Sequence, residues 1–347
     1  MMMDEDFTLL LSKLQKALNY REDFFAQDNI SAFRLFSGFY EGCESLVVDL
    51  FSKTLLLYDY SKTEPVTDNT LNDIQNYYLQ RLPGIKSVIQ KRRYSQDAFH
   101  RRGKITYGEK PDQQIQEYKV WYFVDLLINQ DASFYLDTRN LRRWLLEHAK
   151  GWRVLNTFAY TGSLGVAALS AGASRVVQVD RNRHFLRLSR ISGMLNHLDI
   201  GKLILETMDF YQFVGQAKRT KQLFDCVILD PPFFSKTKHG KVDLINENER
   251  LINKVRPLVD DGGFLILVNN ALFVNGKDYI QSLEKLCQDG YLSIEKLISI
   301  PMDITGYPET VVNDPPVDPY PYNHSTKITI LRVKSKSRKS VNLRFLS

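Results

Sequence analysis

Two stretches concentrate residues that could do chemistry. Arg153–Asp180, RVLNTFAYTGSLGVAALSAGASRVVQVD, reads as a strand, a tight turn, a helix and a second strand ending on a carboxylate. LFDCVILDPPFF, at Leu223–Phe234, reads as a buried apolar strand that delivers Asp230, Pro231, Pro232 and Phe233 at its carboxyl end. In the turn Asn156-Thr157-Phe158-Ala159-Tyr160-Thr161-Gly162-Ser163, Gly162 is the one glycine. A dinucleotide fold needs G-x-G-x-x-G there, so that backbone can approach a pyrophosphate, and a P-loop needs Gly-Lys-Ser/Thr. Phe158 and Tyr160 take up the room phosphates would need. A nucleoside without phosphates still fits, its charged amino-acid end held by backbone groups of the turn.

Asp180, followed by Arg181, ends the second strand, where a carboxylate can accept both hydroxyls of a ribose. Asp209-Phe210 follows the third strand; the carboxylate can accept from an adenine amine while the aromatic covers the ring. Each of these taken alone is equally well plain turn chemistry. Together, at successive strand ends, they point to S-adenosyl-L-methionine. On the acceptor side, Asp230 and the carbonyl of Pro231 can accept hydrogen bonds from a planar nitrogen-bearing group. Phe233 or Phe234 can stack on it, as aromatics do on a base taken out of its helix, and the fixed φ of two prolines keeps the turn rigid. A second Asp314-Pro315-Pro316 shows that the tripeptide by itself is not distinctive, but that copy follows no buried apolar strand.

The elements that must position these residues alternate. Strands fall near 153–157, 175–179, 202–206, 223–229 and 263–269 with helical periodicity between them, which predicts a doubly wound parallel α/β sheet. Ser299–Asn323 is rich in proline and aspartate, and Ser325–Val333 is a final strand, together suiting an antiparallel edge hairpin. Upstream, a helix over residues 7–20, strands within Ser31–Tyr60, a helix over Asn69–Leu82 stopped by Pro83-Gly84, and a strand over Ile85–Arg93 make a small α+β module. Gln116–Ile128 suits strand pairing, and Asp137 could cap the helix that follows it. The expected division is a small N-terminal α+β domain over 1–115, a catalytic domain over 116–335 and a basic tail over 336–347.

The 347 residues carry a net charge of +6, and 44% of them are hydrophobic, a balance that suits an ordinary globular protein rather than a disordered or membrane one. Cys43, Cys226 and Cys287 form no Cys-x-x-Cys pair, so neither a disulfide framework nor a metal site is expected, and a reducing, cytoplasmic location is. Local basic clusters stand at Lys91-Arg92-Arg93, at His100-Arg101-Arg102 with Lys104, and over Lys236–Lys241 and Lys334–Lys339. Singly, each reads as solvated surface. Together they fit a polyanionic partner such as RNA.

Gln130–Arg139 with its Y-L-D-x-R core, LNTFAYTGS, VVQVD, VILDPPFFS and GGFLILVNN together resemble the bacterial 23S rRNA methyltransferases that make 5-methylcytosine or N7-methylguanine, over about residues 30–333. The resemblance implies a class I, Rossmann-like S-adenosylmethionine-dependent methyltransferase acting on large-subunit rRNA. FRLFSGFYEGCESLVVDLF resembles the small α/β domain that precedes the catalytic domain in the 5-methylcytosine members, and RNA docking would fall to this module and the basic clusters. The cysteine spacing and the lengths of the apolar runs lead to an expectation of no metal and no membrane. It also implies that Tyr135, Asp137 and Arg139 close over the methyl donor. Two departures stand out. The 5-methylcytosine members usually begin with an RNA-binding PUA domain, and nothing here is long enough to be one. They also place a cysteine in the strand-end loop that here reads Val268-Asn269-Asn270-Ala271. Carbon-5 of cytosine is a poor nucleophile and needs that cysteine to add to the ring first. The Asn269-Asn270 pair and the Thr-Gly-Ser turn look more like the N7-guanine members. Guanine N7 carries its own lone pair and needs only alignment, with Asp230 and Asn270 on the guanine edge and Phe233 stacked on it. An exocyclic amine would use the same residues. A methyltransferase acting on a small molecule or protein is the alternative, and a non-catalytic RNA-binding module the third.

Overall fold

The computed structural model describes residues 4–27, 29–62 and 66–334; the basic tail expected over 336–347 lies outside them. The chain divides into two compact units, Met1–Arg139 with Pro301–Asp314, and Asn140–Ile300 with Pro315–Ser347.

In the first unit, α1 (Asp4–Asn19) and the single turn α2 (Glu22–Phe25) precede the antiparallel strands β1 (Ala32–Phe36), β2 (Leu46–Phe51) and β3 (Thr54–Asp59). Helix α3 (Asp68–Arg81), capped by the Thr67 side chain, crosses over so that β4 (Ser87–Arg92) runs parallel to β3. The short α4 (Ala98–Arg102) and β5 (Lys104–Tyr107) complete a sheet of order β1-β2-β3-β4-β5. Leu10, Leu14, Leu18, Phe33, Leu35, Val48, Leu55, Ile74, Tyr78 and Val88 form its core, the apolar face of α1 supplying the first three. Full burial of each such side chain contributes about 1.5–3 kcal/mol.

The boundary expected at residue 115 falls instead at Arg139. The hairpin β6 (Gln114–Glu117) and β7 (Val120–Phe123) is bridged to the first unit through Ile30 and Glu117. The Lys91 ammonium then holds the carbonyls of Asn129 and Asp131, both at 2.8 Å. A buried ion cluster draws in residues far along the chain. Arg21 pairs with Glu41 at 2.9 Å and donates to the carbonyl of Asp303, in the one-turn helix α11 (Met302–Thr305). Arg139 pairs with Asp303 at 2.7 Å, and Arg34 N–H donates to the same carboxylate. These bonds, non-local in sequence, explain why 301–314 returns to the first unit.

The second unit is built on a seven-stranded sheet of order β10-β9-β8-β11-β14-β16-β15. Strands β8 (Arg153–Thr157), β9 (Arg175–Asp180), β10 (Leu203–Thr207), β11 (Phe224–Leu229) and β14 (Val259–Asn269) run parallel. β15 (Leu292–Ile298) and β16 (Lys327–Val333) are antiparallel to their neighbours. The antiparallel pair is as expected, but β15, which has no clear alternation in the sequence, is the edge, and the last strand lies inside the sheet. Helices α5 (Arg139–His148), α6 (Ser163–Ser170), α7 (Arg183–Leu195), α8 (Phe210–Arg219), α9 (Asn248–Val255) and α10 (Gly276–Cys287) alternate with the strands. A two-stranded ribbon, β12 (Phe234–Thr237) and β13 (Gly240–Asp243), stands apart from the sheet. None of the described helices is long and apolar enough to cross a membrane.

Candidate cofactor and acceptor site

The strand order reverses between β8 and β11: β8 leads outward through β9 to β10, and β11 leads the other way to β14. A doubly wound sheet opens its ligand crevice at the carboxyl ends beside such a reversal. Thr157, Val179, Leu229 and Leu267 lie in matching register, so the turns that follow them leave one edge of the sheet together. The Thr157 hydroxyl donates to the carbonyl of Ile228 at 2.7 Å and ties the two central strands at that edge.

The turn after β8 has an unusual backbone. Phe158, Tyr160 and Gly162 all have positive φ, at 54°, 51° and 79°. At Gly162 a side chain is excluded twice over, since a Cβ would stand 2.5 Å from the Gln178 amide nitrogen and 2.6 Å from Ser189. Ala159 N–H donates to Val179 and Tyr160 N–H to the Asp180 carboxylate at 2.9 Å, folding the turn over the end of β9. Thr161 and Ala159 are buried there. Asp180 receives one backbone N–H on each oxygen, from Tyr160 and from Asn182. Burial nonetheless pushes its carboxyl above the ordinary carboxylate range, against those two bonds and the charge of Arg181. Each oxygen keeps lone-pair capacity for one hydroxyl, so the two ribose hydroxyls of S-adenosylmethionine fit, and their donation would favour the charged form. Arg181 itself is exposed.

Some expected contacts are occupied otherwise. The Asn156 amide donates to Gln178 at 2.9 Å inside the sheet layer, and Asn156 is 1% exposed. Phe210 belongs to the core, and the partly buried Phe158 stacks on it at 4.7 Å. One oxygen of Asp209 caps α8 through Tyr211 N–H. Tyr135, Asp137 and Arg139 lie in the first unit. Arg139 is 2% exposed and holds Asp303, Glu117 and the carbonyl of Ala32. Where a donor contact was expected of it, there is a buried ion cluster. Burial and non-local pairing, which sequence spacing does not encode, account for the placements of Asn156, Phe210 and Arg139; Tyr135 is exposed and Asp137 half-buried.

At the end of β11, Asp230 is half-buried, Pro231 buried and Pro232 exposed, while Phe233 and Phe234 are exposed. The second Asp-Pro-Pro, at 314–316, follows no strand. Beside the first motif, at the end of β14, Asn269 accepts from Ala271 N–H and shapes the loop. Asn270 has a buried side-chain oxygen with no hydrogen-bond partner in the structure. An unpaired buried acceptor is costly unless something donates to it.

Two positions not singled out from the sequence hold this site in place. Gln178 is fully buried and bonds Asn156, the carbonyl of Gly162 and the Ser189 hydroxyl, a polar hub beneath the turn. Its signal is one glutamine within an otherwise apolar strand, VVQVD. Lys327, fully buried on β16, donates to the carbonyls of Ala271 at 3.2 Å and Ser325 at 2.7 Å, and burial pushes its ammonium down to about 8. It anchors the loop that carries Asn270. A lone lysine at the head of KITILRV carries no comparable signal.

Residues 78–297 match a family model described as S-adenosylmethionine-dependent methyltransferase. YwbD of Bacillus subtilis, whose name carries a provisional assignment as a ribosomal RNA large subunit methyltransferase, is 29% identical over 321 residues, 88% of this chain and 78% of that one. Ribosomal RNA large subunit methyltransferase I of Yersinia pestis is 29% identical over 236 residues, which are 67% of this chain and 59% of that relative's length. The crystal structure of SMU.776 complexed with SAH has the same fold, with a TM-score of 0.81 at 24% identity over 94% of this chain and 82% of that one.

Proposed function

This chain belongs to the S-adenosylmethionine-dependent methyltransferase family, and on that premise we propose that it methylates a base nitrogen of ribosomal RNA, guanine N7 before any other, without a covalent cysteine intermediate. The ribosomal RNA acceptor is supported by the names of the relatives at 29% identity. The observation that carries the nitrogen is the acceptor edge itself. Asp230 and the orphaned oxygen of Asn270 follow neighbouring strands, and no cysteine accompanies them. Cys226 lies inside β11, fully buried, and burial pushes its thiol far above the usual range. Cys43 is in the first unit and Cys287 ends α10. A thiol so placed cannot supply the thiolate that carbon-5 addition needs.

The donor supplies an electrophilic methyl on a sulfonium. N7 contributes its own lone pair to the new C–N bond, and the sulfur keeps the pair of the C–S bond that breaks. The chain has only to bind, orient and exclude water. Asp180 holds the ribose of the donor, and backbone groups of the turn 156–162 hold its charged amino-acid end. Asp230 and Asn270 accept from the N–H groups on the guanine Watson–Crick edge, leaving N7 to face the methyl, while Phe233 stacks on the ring.

The test is methyl transfer from tritiated S-adenosylmethionine to unmodified large-subunit rRNA, with the product digested to nucleosides and identified by mass. N7-methylguanosine is the expected product. Labelled 5-methylcytidine would overturn the cysteine argument. Absence of label together with tight donor binding would direct the search to protein or small-molecule acceptors.

A further inference from the structure

The ribbon β12–β13 and a cleft behind it meet on one side chain, Tyr211 of α8. Gly240 crosses the Tyr211 ring so closely that a Cβ there would penetrate it. The Tyr211 hydroxyl donates to the carbonyl of Lys241, and the Lys254 ammonium lies 5.3 Å from the centre of the same ring. The ribbon is knotted at its base by Asp243, which pairs with Lys241 at 2.7 Å and accepts from Asn246. It begins on the residue after Phe233, at the acceptor motif. The cleft, of about 920 Å³, opens between α8, α9 and α10, and Lys218, Arg250 and Lys254 line it.

These cations are unevenly compensated. Arg250 pairs with Glu247. Among the described residues no carboxylate pairs with Lys218, Lys254, Lys236 or Lys238. Partial desolvation, and then the charge of Lys254, both lower the pKa of Lys218, so the two ammonium groups are held together at a cost. Glu249 and Asp278 also line the cleft, both exposed, leaving the strip from ribbon to cleft with net positive charge. Phe234, exposed, has Lys241 5.5 Å from its ring centre and offers a stacking face at the same end. A net-positive strip with four lysines that no carboxylate pairs, beside an exposed aromatic ring, is the arrangement that tracks a single-stranded nucleic-acid backbone.

We propose that the α8–α9–α10 cleft and the β12–β13 ribbon form the track for the RNA backbone flanking the target base, with phosphodiesters on Lys218 and Lys254 in the cleft and on Lys236 and Lys238 of the ribbon. The proposal rests on an RNA acceptor and names the surface that grips it. It makes the ribbon, rather than Lys91-Arg92-Arg93, the basic element that delivers RNA to Asp230.

The test uses the full chain and a fluorescein-labelled single-stranded oligoribonucleotide, with anisotropy titrations across a salt series and calorimetric titration of S-adenosylmethionine in parallel. The expected result for Lys218→Glu/Lys254→Glu, and for Lys236→Glu/Lys238→Glu, is a loss of RNA affinity of about 10- to 100-fold at moderate salt. The slope of log K against log salt should become shallower by about 0.7 for each phosphate that the variant no longer neutralises. Donor affinity stays unchanged, which shows that the variants fold, and Lys218→Arg/Lys254→Arg keeps RNA affinity. Wild-type protein that binds RNA with strong salt dependence, alongside reversal variants that bind it equally well, would overturn the track and leave the RNA acceptor standing. So would a cleft that takes up adenosine monophosphate while its charge reversal leaves RNA affinity intact, since that marks a small-anion site. Wild-type protein showing no salt-dependent RNA binding would overturn the track and the RNA acceptor together.

Discussion

Asp180 and Asp230 lie at the ends of two strands of one sheet, and on the proposed reading, in which one holds the donor and the other the acceptor, their removal should separate binding from turnover. Asp180→Ala deletes a half-buried carboxylate with room to accept two hydroxyls. Hydrogen bonds to a charged group contribute about 1.5–3 kcal/mol, so calorimetry should show donor affinity falling by about 10- to 100-fold. Unchanged affinity would remove Asp180 from the ribose. Asp230→Ala should leave donor affinity intact and lower turnover on the true acceptor by about 10²–10³-fold, the order found when a positioned polar group is lost from a reaction site. Full activity would sink the acceptor assignment. These two carboxylates are legible in the sequence because strand ends can be read from apolar runs. Gln178 and Lys327 are not, because their work is to satisfy backbone and amide groups brought to them by other strands.

At the scale of elements, the turn after β8 depends on a glycine for two independent reasons, its φ of +79° and the approach of Gln178. Gly162→Val should cost about 1–3 kcal/mol through strain and overpacking and should weaken donor binding beyond what global stability explains. Urea unfolding beside calorimetry separates the two effects. In the first unit, Arg139 and Asp303 are both buried, at 2% and 0% exposure. Arg139→Met strands the carboxylate, and breaking such a pair from one side costs about 3–5 kcal/mol. The expected outcome is a large fall in urea midpoint. An Asp303→Asn/Arg139→Met double variant that is no more stable than Arg139→Met alone would show that the stranded charge is not the cause. The helices α1 and α3 and the parallel strands were readable from periodicity. The inward position of β16 and the edge position of β15 were not, since sheet order depends on which strands meet after the chain has left and returned.

Over the whole molecule, the basic clusters divide into buried and available ones. Lys91 is fully buried on two carbonyls and Arg93 pairs with Asp131 at 2.5 Å, so this cluster holds the first unit together. Burial pushes the Lys91 ammonium down to about 7 from an ordinary 10.5. Between those values the unfolded chain holds a proton that the folded one lacks, so stability rises with pH across that window; below about 7 both states are protonated and the burial penalty is fully present. The rise in urea midpoint from about pH 6.5 to 9.5 should therefore be smaller in Lys91→Met than in the wild-type protein. Equal rises in the two proteins would contradict the buried-charge account.

The sequence alone determined the doubly wound sheet, the strand ends bearing Asp180 and Asp230, and the absence of a phosphate-binding loop, because each is written in local spacing, apolar periodicity and turn composition. Tertiary structure alone decided that Arg139 and Lys91 are interior ions, that Asn156 and Phe210 face the core, that Lys327 braces the loop carrying Asn270, and that the Lys236–Lys241 ribbon joins a cleft through Tyr211. These are outcomes of burial and of partners distant in the chain. A side chain's charge is local information, whereas its desolvation and its neighbours exist only once the strands have met.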